Sequence, residues 1–197
     1  DRTDRGLAGL IYINSIDILT DFCIGAENEV ASVCLFSDVP LNNIETVLLD
    51  YQSKTSVNLA KVLFKFFWKK EVVFKAANED FRNAINGTTA AVVIGDRAFE
   101  QRNQSKYVYD LAEAWIEYTN LPFVFAAWVA NKPIHADFLD AFNLANAYGI
   151  KHLDAVVAEN NYQLYNLKKY YSHNISYHLS DAKKQGLELF LEKVAKL

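Results

Sequence analysis

Residues 46–94 read TVLLDYQSKTSVNLAKVLFKFFWKKEVVFKAANEDFRNAINGTTAAVVI, and the fold class turns on how their apolar residues recur. Residues 46–49 (TVLL) form a short buried strand that ends at Asp50. Then the period changes. Val57, Leu59, Ala60, Leu63, Phe64 and Phe67 recur at helical spacing, which predicts an amphipathic helix over 55–68. Residues 71–76 read as a strand, 78–86 as a helix stopped by Asn86-Gly87, and 90–94 as a third short buried strand. Strand, helix, strand, helix, strand at this length is the pattern of a parallel α/β sheet.

The flanks extend the pattern. Upstream, 7–18 and 30–37 are apolar runs of strand type, the second closed by Asp38-Val39-Pro40. Downstream, 108–118 reads as helical and 122–129 as a strand or buried crossover. From 136 the periodicity is helical, over 136–149, 153–171 and 181–195. The last of these has Ser180 as N-cap and Leu187, Phe190, Leu191 and Val194 on one face. An α/β block followed by helices, with a return strand between them, predicts two lobes whose chain crosses back.

Bulk properties narrow the function classes. The chain has 197 residues, 51% hydrophobic and 22% charged, as expected of a globular protein with a real core. A net charge of -4 gives no general attraction to nucleic acid or to an anionic membrane, and no apolar run reaches spanning length. The sequence begins Asp1-Arg2-Thr3-Asp4, without a signal peptide pattern. Cys23 and Cys34 sit in apolar surroundings and outside any ligand spacing, so a metal site is not expected and a reduced cytoplasmic setting is. The Asn-x-Ser/Thr triplets at Asn86, Asn103 and Asn174 are discounted as chance in an Asn-rich chain. Phosphate-loop and dinucleotide glycine patterns are absent. His135, His152, His173 and His178 are scattered through the helical half with no nucleophile placed beside them.

Two stretches carry candidate chemistry. Ser53, Thr55 and Ser56 lie where a buried strand meets a helix. They either cap that helix or join its free N–H groups in an anion site. Ile94-Gly95-Asp96-Arg97 follows a buried strand at the end where open α/β sheets bind ligands. There Gly95 allows close backbone approach, Asp96 caps the next turn or orients a ligand hydroxyl, and Arg97 reads as a solvated surface charge. Tyr162, Tyr165, Tyr170 and Tyr171 read as helix packing, and Lys168-Lys169 as solvated. Composition and spacing stop at a soluble α/β protein, with an anion-binding cleft and plain helix capping both open as readings of the Ser53–Ser56 turn.

Ordered motifs go further. They are Ser32-Val33-x-Leu35-Phe36-Ser37, Asp50-x-x-Ser53-x-Thr55-Ser56-Val57-x-Leu59, Ile94-Gly95-Asp96-x-Ala98, Tyr109-Asp110-Leu111-x-x-x-Trp115 and Thr119-x-Leu121-Pro122-Phe123-Val124-Phe125-Ala126. In this order the chain, from about residue 18 to its end, resembles the chorismate dehydratases of the futalosine route to menaquinone. The resemblance implies a two-lobed type II periplasmic-binding-protein fold used as a cytoplasmic enzyme. It implies loss of water from chorismate to give 3-[(1-carboxyvinyl)oxy]benzoate, without a cofactor. Ser32 would then be a catalytic group, and Ser53, Thr55, Ser56, Gly95 and Asp96 would bind a small-molecule carboxylate. Residues 1–45 and 120–197 would form the first lobe with the C-terminal helices, and 46–119 the second.

The chain departs from the family pattern in two places. A Ser-Tyr-x-Asn segment usual at the family's start has no convincing copy. Tyr12-Ile13-Asn14-Ser15 is similar, but its surroundings match a later strand, so the opening part of the first lobe is expected to be missing here. Asn120 stands where the family usually has glycine. The rival reading, a transporter's solute-binding protein for a small anion, uses the same cleft without turnover. The sequence does not fix an oligomeric state.

Overall fold

The computed structural model describes residues 17–77 and 79–197. In chain order its strands are β1 (Asp17–Ala26), β2 (Val33–Ser37), β3 (Thr46–Leu49), β4 (Val73–Ala76), β5 (Thr89–Ile94), β6 (Tyr107–Asp110), β7 (Phe123–Ala130) and β8 (Ser176–His178). The helices are α1 (Lys54–Val62), α2 (Asp96–Arg102), α3 (Leu111–Thr119), α4 (Ala136–Lys151), α5 (Leu153–Glu159) and α6 (Asp181–Val194). α1 runs on into a π turn, Leu63–Phe67. A helical turn Leu167–Lys169 and a π turn Tyr170–Asn174 precede β8.

The strands form two sheets among the described residues. A five-stranded sheet has the order β4-β3-β5-β2-β6 and a three-stranded sheet the order β7-β1-β8. β4, β3 and β5 are parallel, as the alternating pattern of 46–94 predicts. β2 runs antiparallel between β5 and β6, so β6 points the same way as β3, β4 and β5. β2 therefore belongs to the sheet built by 46–110, although the sequence division grouped it with residues 1–45. The expected strand over 7–18 lies, except for its last two residues, outside the described residues, and so does Asn14.

α1 forms where its sequence predicts. Ser53 is the N-cap and accepts the Ser56 N–H, and Leu59, Ala60, Val62, Leu63 and Phe64 are buried against the sheet. One core then runs from the larger sheet to the C-terminal helix. Trp115 of α3, Phe123 of β7 and Phe190 of α6 meet edge-on with centroids 4.9–5.9 Å apart. α6 approaches closely because position 186 is glycine: a Cβ there would lie 2.2 Å from the Pro122 carbonyl oxygen. Ser180 caps α6, accepting the Lys183 N–H.

Three expectations fail locally. Of the helix expected over 78–86, the described residues 79–86 form only a 3-10 turn, Arg82–Ala84. Phe81 and Ile85 are buried four apart, but the Asp80 carboxylate takes the Arg82 N–H and side chain, and Asn86 already pairs with Thr89. The helix expected over 108–118 begins only at Leu111, because Asp110 is its N-cap and Tyr107–Asp110 is an edge strand on β2. The helix expected over 153–171 breaks after Glu159. Asn120 takes φ 57°, the left-handed conformation that asparagine tolerates in place of glycine.

Candidate functional site at the edge of the larger sheet

Parallel β3 and β5 end at the same edge of the sheet, and antiparallel β2 begins there, with Val33 opposite Ile94. This register places Ser32, the Asp50–Ser56 turn and the Gly95–Arg97 turn along one border. Two contacts fasten them. The Gly95 N–H donates to the Ser32 carbonyl at 2.8 Å. Arg97 Nη2 donates to both Asp50 oxygens, at 3.0 and 2.8 Å, and to Gln52 Oε1 at 2.9 Å. The Arg97 guanidinium also lies over the Tyr51 ring, 5.0 Å from its centre. Arg97 is thus not the solvated charge expected. Its side chain is 16% exposed and pairs with a carboxylate that is 0% exposed.

The hydroxyls of α1 divide their work. Ser53 Oγ accepts the Ser56 N–H at 3.1 Å and donates to Ser56 Oγ at 3.0 Å, so Ser53 serves as a cap. Ser56 is 2% exposed and Thr55 half-buried in the same first turn. Ser56 keeps its own hydroxyl proton for another acceptor. Gly95 has φ 64° and ψ −147°, a region glycine alone occupies readily, and a Cβ there would meet nothing within 4 Å. Conformation, not close approach, is what requires glycine. Asp96 is exposed at the first position of α2, where its carboxylate is favoured by the helix dipole.

The site also has a wall that the sequence did not reveal. The hydroxyls of Ser32, itself 4% exposed, and Tyr170 lie 2.8 Å apart. Phe99 of α2 stacks on Tyr165 at 4.5 Å and meets Tyr162 and Tyr170 edge-on at 6.0 and 5.3 Å. The tyrosines do pack, as expected, but Tyr170 also brings a polar group to the sheet edge.

Burial pushes the Tyr170 phenol above its usual range, against the opposing bond from Ser32, and pushes Tyr177 up to about 12. A phenol with a raised folded-state value stabilises the fold fully below its unfolded value, near 10. That contribution fades as pH rises through the folded value. We therefore expect the melting temperature, followed by circular dichroism, to fall between roughly pH 10 and 12, with a shallower fall in Tyr177→Phe.

Three clefts lie away from this edge. One of about 620 Å³ is apolar and lined by Phe22, Ile24, Trp128, Phe142 and Val156. Another of about 490 Å³ carries Glu27, Glu29, Glu113 and Glu117. A third of about 930 Å³ carries Lys61, Lys65, Lys69 and Lys70, and Lys65 is already held by the Lys196 carbonyl at 2.6 Å. None of the three brings together hydroxyls, a capped helix start and a glycine turn. Among the described residues no group of three or more histidine, cysteine and acidic side chains is placed to hold a metal, and no helix is long and apolar enough to cross a membrane.

Comparison with known proteins follows the same boundaries. The model of a family described as menaquinone biosynthesis matches residues 8–196. A chorismate dehydratase of Thermus thermophilus is 28% identical over 205 aligned positions, spanning 93% of this chain and 75% of the relative. The crystal structure of protein AF1704 from Archaeoglobus fulgidus superimposes with a TM-score of 0.68 at 14% identity, covering 96% of this chain and 75% of that one. At that identity the likeness speaks for the fold.

Proposed function

This chain belongs to the menaquinone biosynthesis family, and from that premise we propose that it is a chorismate dehydratase, a hydro-lyase forming 3-[(1-carboxyvinyl)oxy]benzoate. The observation that carries the reading is the Thermus relative, whose likeness spans 93% of the chain and so includes every stretch of the sheet edge described above. Within this reading the two sheets are the centres of two lobes of a type II periplasmic-binding-protein fold. Residues 46–119 with β2 make one lobe. The rest, with the C-terminal helices, makes a partial other.

The chemistry suits the site. Chorismate carries two carboxylates, which hydroxyls and a helix start can hold. Loss of the ring hydroxyl and a ring proton makes the ring aromatic, a redox-neutral change with a large driving force. What the protein must supply is orientation. Thr55 and Ser56 with the start of α1 hold a carboxylate. Ser32 orients the reacting part, and a carboxylate of the substrate itself takes the ring proton. Gly95 shapes the turn, and Asp96 accepts from a substrate hydroxyl. Ser53 acts one step removed, by fixing Ser56. Cys23 and Cys34 are both free and buried, which fits a reducing, cytoplasmic setting.

Incubating the complete protein with chorismate and separating the products by chromatography tests the reading. The aromatic enolpyruvyl ether is the expected product, and unchanged chorismate with saturable binding would point to a solute-binding protein instead. In the same assay Thr55→Val with Ser56→Ala should lower kcat/KM by at least about 100-fold, since each hydrogen bond to a charged group is worth roughly 1.5–3 kcal/mol. An unchanged value would remove these residues from the site.

A further inference from the structure

We propose that Tyr170 is a positioning residue of this site: its hydroxyl fixes the Ser32 hydroxyl, and the pair presents one O–H to an oxygen of the bound substrate. The inference rests on the dehydratase reading for the identity of that substrate and on the geometry for everything else.

The argument begins with a proton count. Two hydroxyls 2.8 Å apart share one hydrogen bond, in which either is the donor. Each carries one proton, so one O–H is used between them and one is left. Among the described residues no other protein group bonds either hydroxyl. The spare proton therefore has no acceptor among the described residues, and Ser32, at one end of the pair, is almost fully buried. When Tyr170 donates to Ser32, the spare proton sits on the buried Ser32 hydroxyl, where a donor without an acceptor costs free energy, and a ligand oxygen supplies the missing acceptor.

Placement gives the same answer. The Ser32 carbonyl is tied to the Gly95 N–H, so the hydroxyl pair stands between the glycine turn and the tyrosine wall. Tyr170 is held from behind by the Phe99 ring, which limits its rotation, and this is what a group that orients another requires. A phenol is protonated at neutral pH and burial pushes its titration higher still, so it remains part of a hydroxyl pair and not a phenolate facing an anionic substrate. The chain supplies this group from the segment just before β8, which crosses from the smaller sheet to the edge of the larger one. Substrate orientation and the seating of that segment on the edge are thereby coupled.

The test is a cycle of Tyr170→Phe, Ser32→Ala and the double variant in the complete protein, assayed with chorismate. Tyr170→Phe keeps the ring against Phe99. It should lower kcat/KM about 10- to 100-fold, as for a lost hydrogen bond to a charged group, while the melting temperature stays near the parent value. Ser32→Ala should do the same, and the double variant should be no worse than the more damaged single, because both remove one unit. Incorporation of 3-fluorotyrosine at position 170 retains the hydroxyl and should restore the rate to within about threefold of the parent. Should Tyr170→Phe fail to fold, Ser32→Ala against the fluorotyrosine protein carries the same comparison. Activity of Tyr170→Phe within about twofold of the parent, or losses that simply multiply in the double variant, would overturn the proposal. If the parent binds chorismate without converting it, the dehydratase reading falls, and calorimetry decides the present one. A tenfold or greater loss of chorismate affinity in Tyr170→Phe supports it, by about 1.4 kcal/mol, and unchanged affinity refutes it.

Discussion

Asp110→Ala is expected to lower the melting temperature by about 10 °C. The residue looks like an ordinary helix cap, and its side chain does accept the Ala112 and Glu113 N–H groups at the start of α3. It also accepts the Val30 N–H at 3.2 Å and the Ala31 N–H at 2.7 Å, from the segment that connects the two sheets. Ala31 has φ 64°, a left-handed conformation that costs an alanine about 1–2 kcal/mol and persists because these bonds hold it. Burial raises the Asp110 carboxyl above its usual range, and the backbone donors from Glu113, Val30 and Ala31 pull it back. Alanine would leave the N–H groups of Val30, Ala31 and Ala112, all buried residues, and that of Glu113 without this acceptor. With about 1 kcal/mol for the cap and roughly 1–3 for each buried donor left unpaired, a loss of about 4 kcal/mol is a conservative sum. Asp110→Asn should recover only part of it, because an amide that keeps its oxygen toward α3 turns its NH2 toward the Ala31 N–H. Thermal unfolding of the three proteins gives the order aspartate, asparagine, alanine. Equal melting temperatures for aspartate and alanine would show that the carboxylate does not hold the connection.

The second large effect belongs to Arg97. Its removal strands the Asp50 carboxylate, whose side chain is 0% exposed and whose other backbone partner is the Gln52 N–H at 2.8 Å. Breaking a buried pair from one side costs about 3–5 kcal/mol, mostly the penalty of the charge left behind. Arg97→Met is therefore expected to unfold at a denaturant concentration well below that of the parent, and Asp50→Asn to be milder. The double variant, which buries no charge, should be more stable than Arg97→Met alone. That ordering separates a buried ion pair from a surface one, for which all three would lie within about 1 kcal/mol of the parent. The pair also ties the turn before α1 to the start of α2. Loss of chorismate turnover in Arg97→Met under conditions where it remains folded would show that the hydroxyls of α1 depend on this tie for their position.

The parts of the site that were legible in the sequence are those governed by near neighbours. Ser53 caps α1 because a hydroxyl three residues before a free N–H can reach it in any protein. Asp110 followed by Glu113 is an equally local signal for a helix start, masked by the longer apolar period that runs through it. β8 is three residues long and gives no periodicity to read. β1 passes through two register shifts against β7, which blur the alternation that marks a strand.

The sequence by itself determined the parallel strand, helix and strand order of 46–94, the caps at Ser53 and Ser180, the left-handed tolerance of Asn120, and the ordered motifs that place the chain in its family. Each of these is set by residues within a turn or two of one another, or by order along the chain. Only the tertiary structure decided that β2 enters the larger sheet antiparallel between β5 and β6, that Arg97 neutralises Asp50, and that Tyr170 reaches Ser32 across 138 positions of sequence. Those pairings depend on where the chain returns after it crosses between sheets. That is fixed by the burial of Trp115, Phe123 and Phe190 in one shared core, and no local pattern of polar residues encodes it.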